Sequence, residues 1–365
     1  MNNDDDAVWR LPATVQGRDV RLKTGGEEPP LSPNGKARLR RIVTKVPEVM
    51  VKLTGRSRGI AGHLLGQLDY ITRNWRLPAE TQDGERITDR ARLLALHDDW
   101  LLANAAEGRG KTGPNTAQSV AITLSMPPGT PSDRVEAAVR HWARETFAGA
   151  HDWIMARHDD AGHPHVHVAV RAVGPDGRRL APGPADLQRW RERFARELRR
   201  LGVEAEATPR LARGRMRRAD RLPARKAEQR GVEPRAAEAI RHAADTDSGA
   251  PSPPLPQNWS RDLQARYDSV RRAYLNHAEA LDRRDTADRR LARDIRRFVA
   301  DMPVPLTRRQ ALAAALRNAQ NGEPGRDAPS PSSLVQVQAL DLPRASPSQR
   351  PHRSEPTPPR PRGRG

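Results

Sequence analysis

The chain has 365 residues, with 64 lysines and arginines against 45 aspartates and glutamates, which gives a formal net charge of +19. Such an excess favours a polyanionic partner, and nucleic acid is the first candidate. Cysteine is absent, so disulfides, thiolate metal sites and cysteine nucleophiles are excluded, and any metal must have nitrogen and oxygen ligands. No apolar stretch approaches the roughly 20 residues of a membrane span, and the N-terminus lacks a signal-peptide pattern. We therefore expect a cytoplasmic protein without membrane insertion.

The first predicted elements follow a charged segment. Residues 1–41 contain glycine, proline and mixed charge without a period, and are predicted to be a flexible basic arm. Apolar residues alternate with others over 46–53, which predicts a half-buried strand. A helix follows, with apolar residues at helical spacing. One flank of this helix carries His63, Gln67 and Tyr70 at positions i, i+4 and i+7, so the tyrosine shares a face with polar groups.

The elements predicted next alternate between helices and strands. They are a helix at 88–106, a strand at 119–126, a helix at 132–147, strands at 153–157 and 165–172, and a helix at 185–201. This order is typical of an α+β fold, in which helices pack on one face of a largely antiparallel central sheet. We expect this domain to span residues 42–208.

The composition changes beyond this domain. Residues 209–257 carry many arginines and end near the run PSPPLP, so we predict a basic linker. Residues 258–320 are predicted to be a charged helical region, and the proline, serine and arginine content of 321–365 predicts a disordered tail. This C-terminal region is expected to bind DNA or accessory proteins.

A histidine-rich segment contains the candidate metal ligands. It reads HDDAGHPHVH from His158 to His167 and holds four of the chain's 11 histidines. In a strand, residues two apart point to the same face, so His165 and His167 project together while the valines beside them point into the core. A hairpin through Ala161 and Gly162 brings His158 back towards them. Three neutral imidazoles can hold a divalent cation and leave positions for a substrate oxygen and water.

Two neighbouring residues leave alternatives open. His163 has the same strand parity and is a competing ligand, although Pro164 restrains the chain beside it. Asp160 is a candidate to orient a ligating imidazole or to act as a base. A structural metal site closed by four ligands, with His163 as the fourth, or a fortuitous chelating surface is the main rival to a catalytic centre.

These residues resemble the motifs of the conjugative and mobilisation relaxases of the HUH endonuclease superfamily. The first motif is GQLDYITR at 66–73, the third is the histidine pattern at 158–167, and a weaker second motif falls at about 119–130. The resemblance covers roughly residues 46–205. It implies a relaxase domain that nicks one DNA strand at a transfer origin.

The resemblance also implies roles for individual residues. Tyr70 would attack the scissile phosphate and leave a 5′-phosphotyrosine and a free 3′-hydroxyl, which conserves the phosphodiester energy. Asp160 and His163 are the candidates to activate this tyrosine. The implied cofactor is a divalent metal ion, Mg²⁺ or Mn²⁺, which polarises the phosphate oxygens. Its implied ligands are His158, His165 and His167.

A single-stranded substrate is implied because in-line attack needs an accessible phosphate. The candidate DNA contacts are Arg73, Arg157 and Arg171, the last at a position where the family often has asparagine. Trp75 is a candidate stacking face or a core residue. The implied partners are single-stranded DNA at a transfer origin, relaxosome accessory proteins and a coupling protein. A rolling-circle replication initiator with the same chemistry and a non-catalytic DNA-binding accessory protein are the alternative functions.

Overall fold

The computed structural model describes residues 31–108, 113–159, 162–214, 258–303, 305–306 and 309–314, together with His242 and Thr246. Six strands form one sheet in the order β1-β4-β6-β5-β2-β3, and every neighbouring pair is antiparallel. The strands are β1 (Met50–Arg58), β2 (Ala79–Thr81), β3 (Arg86–Ile87), β4 (Ala117–Ser125), β5 (Trp153–His158) and β6 (His165–Arg171). The expected α+β fold with an antiparallel sheet is confirmed.

The expectation that helices pack on one face only is wrong: helices cover both faces of the sheet, because the apolar residues of its strands point in both directions. One face packs against α4 (Ser132–Phe147) and α5 (Pro184–Arg200), where Val166, Val168 and Val170 of β6 lie in the larger core. The other face packs against α2 (His63–Ile71) and α3 (Arg90–Glu107) through a smaller core. β6 is buried along its whole length, as its valine-rich sequence predicts for a central strand.

The six-stranded sheet and helices α2 to α5 form the sheet domain. A second group of helices, the helical group, lies outside it. It consists of α1 (Pro33–Val43), α6 (Asn258–Asp282) and α7 (Thr286–Ala300), which share an apolar core with the short 3₁₀ turn Leu211–Arg213. Leu39 and Ile42 of α1 are 0% and 3% exposed in this core. The helical group joins segments from both ends of the sheet domain in sequence.

The flexible arm predicted for 1–41 is wrong for its last part, because a helix begins at Pro33. Ser32 caps this helix by accepting a hydrogen bond from the Gly35 amide at 3.0 Å. The arm's earlier residues, 1–30, lie outside the described part of the chain, as do most of the predicted linker 209–257 and the whole predicted tail 321–365. The region predicted as helical contains α6, α7 and helical residues at 309–314.

Ion pairs connect α1 to α7 within the helical group and to Glu206 in the sheet domain. Lys36 pairs with Asp288 of α7 at 2.6 Å, and Arg41 donates to Glu206 at 2.7 Å. Glu206 is 3% exposed and follows α5, so it belongs to the sheet domain. Arg38 lies 3.6 Å from the same carboxylate. α1 therefore fixes the helical group to the α5 side of the sheet. Among the described residues, no helix is both long and apolar enough to cross a membrane.

Candidate active site

Three histidines meet where β5 ends and β6 begins. His158 lies directly opposite His165 in the antiparallel register, and His167 lies opposite Ala156. All three imidazoles therefore point to the same face of the sheet, as the strand parity predicted. One ring nitrogen from each lies within 4.8 Å of the others. The three residues are 1%, 7% and 7% exposed, so the cluster is a buried group of nitrogen donors.

Hydrogen bonds set the tautomer of each ring. The Nε2 atom of His158 donates to the Ile71 carbonyl oxygen at 2.7 Å, and Nδ1 of His165 donates to the His163 carbonyl oxygen at 3.2 Å. Nδ1 of His167 lies 3.2 Å from the Thr123 hydroxyl, which itself donates to Thr54 at 3.3 Å. Each ring thus keeps one acceptor nitrogen, namely Nδ1 of His158 and Nε2 of His165 and His167.

This donor set fits a divalent cation. Neutral imidazoles held by outer hydrogen bonds to a carbonyl or hydroxyl are the usual form of metal-binding histidines. The three donor atoms lie close enough together to coordinate one ion. Three protein ligands also leave coordination positions for a substrate oxygen, as in catalytic centres.

Tyr70 lies beside this cluster at the end of α2. Its ring is 5.5 Å from the His167 ring in an edge-on arrangement and 6.4 Å from the His158 ring. The side chain is 47% exposed, so one side faces the histidines and another faces solvent. The structure therefore brings together Tyr70 and the three histidines that the sequence motifs singled out.

Two anchors fix the helix that carries Tyr70. The hydrogen bond from His158 to the Ile71 carbonyl ties the last turn of α2 to β5. One turn earlier, Gln67 accepts a hydrogen bond from the Ser119 hydroxyl at 3.0 Å, which ties α2 to β4. A helix held to the sheet on both sides of Tyr70 gives the tyrosine a defined position relative to the imidazoles.

An unusual turn follows α2. Arg73, Asn74 and Trp75 all have left-handed backbone angles, with φ of 52°, 54° and 55°. Non-glycine residues in this region cost about 1–2 kcal/mol each, so such a run is typical of a functional site. The Asn74 amide donates to the Asp69 carbonyl at 2.8 Å and the Trp75 amide donates to the Thr72 hydroxyl at 3.1 Å, which offsets part of that cost.

The turn places cationic and aromatic groups around the tyrosine. The Arg73 guanidinium lies 5.3 Å from the centre of the Tyr70 ring. Trp75 is 41% exposed, and Arg90 lies 5.7 Å from the centre of its ring. Trp75 is thus a surface aromatic beside Arg90 and not a core residue.

The other two candidate DNA contacts, Arg157 and Arg171, form ion pairs with carboxylates of the fold. Arg157 belongs to the opposite face of β5 from His158, and it pairs with Glu136 of α4 at 2.8 Å. Arg171 is 3% exposed and pairs with Glu107 and Asp152. Burial lowers the pKa of a guanidinium, but these two carboxylates outweigh burial and raise the pKa of Arg171. A buried, doubly paired guanidinium stabilises the fold and is not positioned to contact DNA.

Of the two candidates for activating Tyr70, the structure describes only His163. His163 stacks on His165 with the ring centres 5.1 Å apart and the planes 17° apart. It therefore supports the cluster from the side of β6. Asp160 lies outside the described residues.

Sequence reasoning missed Thr123, which orients His167. Thr123 pairs directly with His167 in the β4–β6 register. A β-bulge lies between Leu53 and Gly55, and Thr54 within it accepts a hydrogen bond from the Thr123 hydroxyl. The signal in the sequence is the alternation of 119–126, which puts Thr123 on the polar side, but only the strand pairing shows that this side faces His167.

A protein-family model matches the part of the chain that contains the histidine cluster. Residues 72–202 match the model of the MobA/VirD2-like relaxase nuclease domain. This match extends past β6 and includes the three histidines, while Tyr70 lies two residues before it.

Curated relatives point the same way. A T-DNA border endonuclease VirD2 of Rhizobium radiobacter is 28% identical over 224 residues, which are 57% of this chain and 50% of that protein. The VirD2 endonucleases of Rhizobium rhizogenes and Agrobacterium fabrum are 29% and 30% identical over 118 residues, about a quarter of each protein. The chain therefore spans at most half the length of these relatives. The expected resemblance to HUH-type relaxases is confirmed.

Proposed function

We propose, on the premise that this chain contains a relaxase nuclease domain of the MobA/VirD2-like type, that the protein nicks one strand of DNA at a transfer origin. The product would be a covalent 5′-phosphotyrosyl intermediate that serves conjugative transfer or mobilisation. The observation that carries this proposal is the position of the half-exposed Tyr70 ring, 5.5 Å from the ring of His167 in a buried three-histidine cluster.

The covalent step is a transesterification. The Tyr70 oxygen forms a bond to the scissile phosphorus, the bond between phosphorus and the 3′-oxygen breaks, and the 3′-oxygen takes up a proton. One phosphodiester replaces another, so the free 3′-hydroxyl can reverse the step and reseal the strand. No water or nucleotide cofactor is consumed. This balance suits an enzyme that must hold one end of the strand during transfer.

The three histidines support this step as metal ligands. A divalent cation held by His158, His165 and His167 would supply Lewis-acid polarisation of the phosphate oxygens. Imidazole donors suit transition metals better than Mg²⁺, which prefers oxygen ligands. We therefore propose Mn²⁺ ahead of Mg²⁺ as the activating ion. Thr123 and the Ile71 carbonyl keep the imidazoles in the tautomers that binding requires.

The tyrosine also needs a group that accepts its proton, because a protonated phenol is a weak nucleophile. His158 and His167 contact Tyr70 but are engaged as ligands in this proposal. Asp160 and His163 remain the proposed proton acceptors. His163 stacks against the ligand His165, and Asp160 belongs to the loop between β5 and β6 in sequence.

The substrate is proposed to be single-stranded at the nick. The exposed Trp75 offers a stacking surface, and Arg73 offers a cation next to Tyr70, which together match the pairing of aromatic and basic groups in grooves for single strands. In the cell we expect the protein to act in the cytoplasm with relaxosome accessory proteins and a coupling protein.

The test uses single-stranded oligonucleotides tiled across the DNA that carries the gene, each labelled at its 3′ or 5′ end. With Mn²⁺, a 3′-labelled strand should become covalently attached to the protein, and a 5′-labelled strand should release a shortened product. The attachment should map to the peptide containing Tyr70.

The variant Tyr70→Phe should abolish both products. Tyr267→Phe is the matched control, because Tyr267 donates to the Met302 carbonyl in the helical group and lies outside the site. It should nick normally. Adduct formation by Tyr70→Phe, or the absence of any adduct from the wild-type protein with every oligonucleotide, would overturn the proposal.

A further inference from the structure

Helix α7 carries an exposed arginine face. Five arginines occur at spacings of one, three and four residues, so they share about a third of the helix surface. All five are exposed. They are Arg289, Arg290, Arg293, Arg296 and Arg297.

The other side of α7 is apolar and docked. Leu291, Ile295 and Phe298 are buried in the helical group. The acidic residue Asp288 is also turned inward, where it is 5% exposed and pairs with Lys36 of α1. The helix thus turns Asp288 inward, while Asp294 beside Arg293 is partly exposed and the five arginines lie on the surface.

The contrast with α5 separates this face from a general excess of arginine. Helix α5 is also rich in arginine, but Arg193, Arg196 and Arg200 all lie within 4.0 Å of Glu145, so a carboxylate offsets part of their charge within the sheet domain. On α7, within the part of the chain that the structure describes, only Arg296 has a carboxylate this close, that of Asp282.

We propose that the arginine face of α7 binds the phosphate backbone of double-stranded DNA, at a surface separate from the nicking site. A row of arginines can neutralise several phosphates without reading bases. Sites for single strands also need exposed aromatic rings, and the described aromatic side chains of α6 and α7 are all buried: Tyr267, Tyr274 and Phe298 are 5%, 0% and 7% exposed.

The position of α7 supports a second DNA contact. The helical group is attached through α1 to Glu206, next to α5 on one face of the sheet. The histidines and Tyr70 occupy the opposite face, with α2 and α3. The inference adds a duplex contact to the proposed nickase and does not depend on its covalent chemistry, since a Tyr70→Phe protein should bind duplex normally.

The experiment compares two full-length triple variants that remove the same charge. The patch variant is Arg290→Ala, Arg293→Ala and Arg297→Ala. The control variant removes scattered arginines of the sheet domain whose side chains are 53%, 88% and 64% exposed. These are Arg134→Ala, Arg178→Ala and Arg200→Ala. Alanine favours helix, and circular dichroism checks that α7 is retained.

Binding is measured by fluorescence anisotropy with a labelled 30-base-pair duplex of arbitrary sequence, over a range of salt concentrations. If all three patch arginines contact phosphates, the slope of log K against log salt should fall in magnitude by about 2.7, at about 0.9 for each phosphate. The affinity at 0.1 M salt should then fall by up to about 500-fold. The control variant should change the slope by less than about one.

Each other outcome overturns the inference. Equal losses in the two variants would make net charge the cause, and an unchanged patch variant would place duplex binding outside α7. A patch that affects a 30-nucleotide single strand as strongly as the duplex would refute the preference for double-stranded DNA. Tighter patch-dependent binding to phosphatidylserine vesicles than to duplex would assign the face to membranes.

Nicking of a short single strand should stay at the wild-type rate in the patch variant. Failure of the duplex-binding inference is therefore distinguishable from failure of the proposed nicking chemistry.

Discussion

Replacing Thr123 by valine should weaken metal binding without touching a ligand. The Thr123 hydroxyl accepts from His167 at 3.2 Å and donates to Thr54 at 3.3 Å. Valine keeps the branched shape that suits a strand but leaves His167 without this partner. Loss of such an outer hydrogen bond typically lowers metal affinity about 10–100-fold. The ligand set and the fold should both survive.

The weaker metal site of Thr123→Val should appear as a smaller stabilisation of the protein by Mn²⁺. At a Mn²⁺ concentration ten times the wild-type dissociation constant, metal binding should stabilise the wild type by about 1.4 kcal/mol. A tenfold weaker site retains about 0.4 kcal/mol and a hundredfold weaker site almost nothing. The metal-dependent stabilisation should therefore fall by about 1.0–1.4 kcal/mol, which corresponds to roughly 2–6 °C in the melting temperature of a domain of this size.

The assay is thermal unfolding with and without Mn²⁺, supported by isothermal titration calorimetry. Taking the difference between the two conditions removes any effect of the substitution on the metal-free protein. Thr54→Val is the matched control, because it keeps the oxygen that His167 contacts, and it should change the affinity by less than about twofold. A wild-type dissociation constant in Thr123→Val, or an equal loss in Thr54→Val, would refute this role of Thr123.

Glu206→Gln should lower the free energy of unfolding, measured by urea denaturation, by about 3 kcal/mol, because the 3% exposed carboxylate pairs with arginines of α1. The control Asp301→Asn removes an exposed ion pair with Lys45 and should change the free energy of unfolding by less than about 0.5 kcal/mol. Arg171→Met should destabilise the protein by on the order of 3 kcal/mol but keep the nicking rate per folded molecule, whereas a reduced rate in fully folded protein would reinstate a DNA contact. Trp75→Ala should weaken single-strand binding in anisotropy titrations by about 1–3 kcal/mol, and Trp75→Phe should not; equal affinities for all three proteins would exclude stacking.

The histidine cluster was predictable because its geometry is local. Strand parity alone aligns His165 with His167, and a hairpin of the observed length sets His158 opposite His165. The same parity, applied to Arg157, places it on the face opposite His158, where it pairs with Glu136. The partners of the imidazoles were not predictable, because Thr123 and the Ile71 carbonyl reach them only through tertiary pairing.

The fold shows a similar division. The long strands and helices of the sheet domain follow from apolar periodicity, but β2 and β3 have three and two residues and are too short to show a period. Helix α1 was missed because its buried side depends on partners in 258–300. The buried ion pairs of Arg171 likewise depend on Glu107 and Asp152, which are remote from it in sequence.

The route of the chain through the helical group has a consequence during synthesis. The apolar side of α1 is made before its partners, because the end of α7 follows roughly 260 residues after Ile42. At about 5–20 residues per second, a ribosome needs roughly 13–50 s to complete them. During that interval Leu39 and Ile42 lack the residues that bury them in the folded protein. The arginine face of α7 is made after Tyr70 and the histidines, so a nascent chain has the candidate nicking site before it has the proposed duplex-binding face.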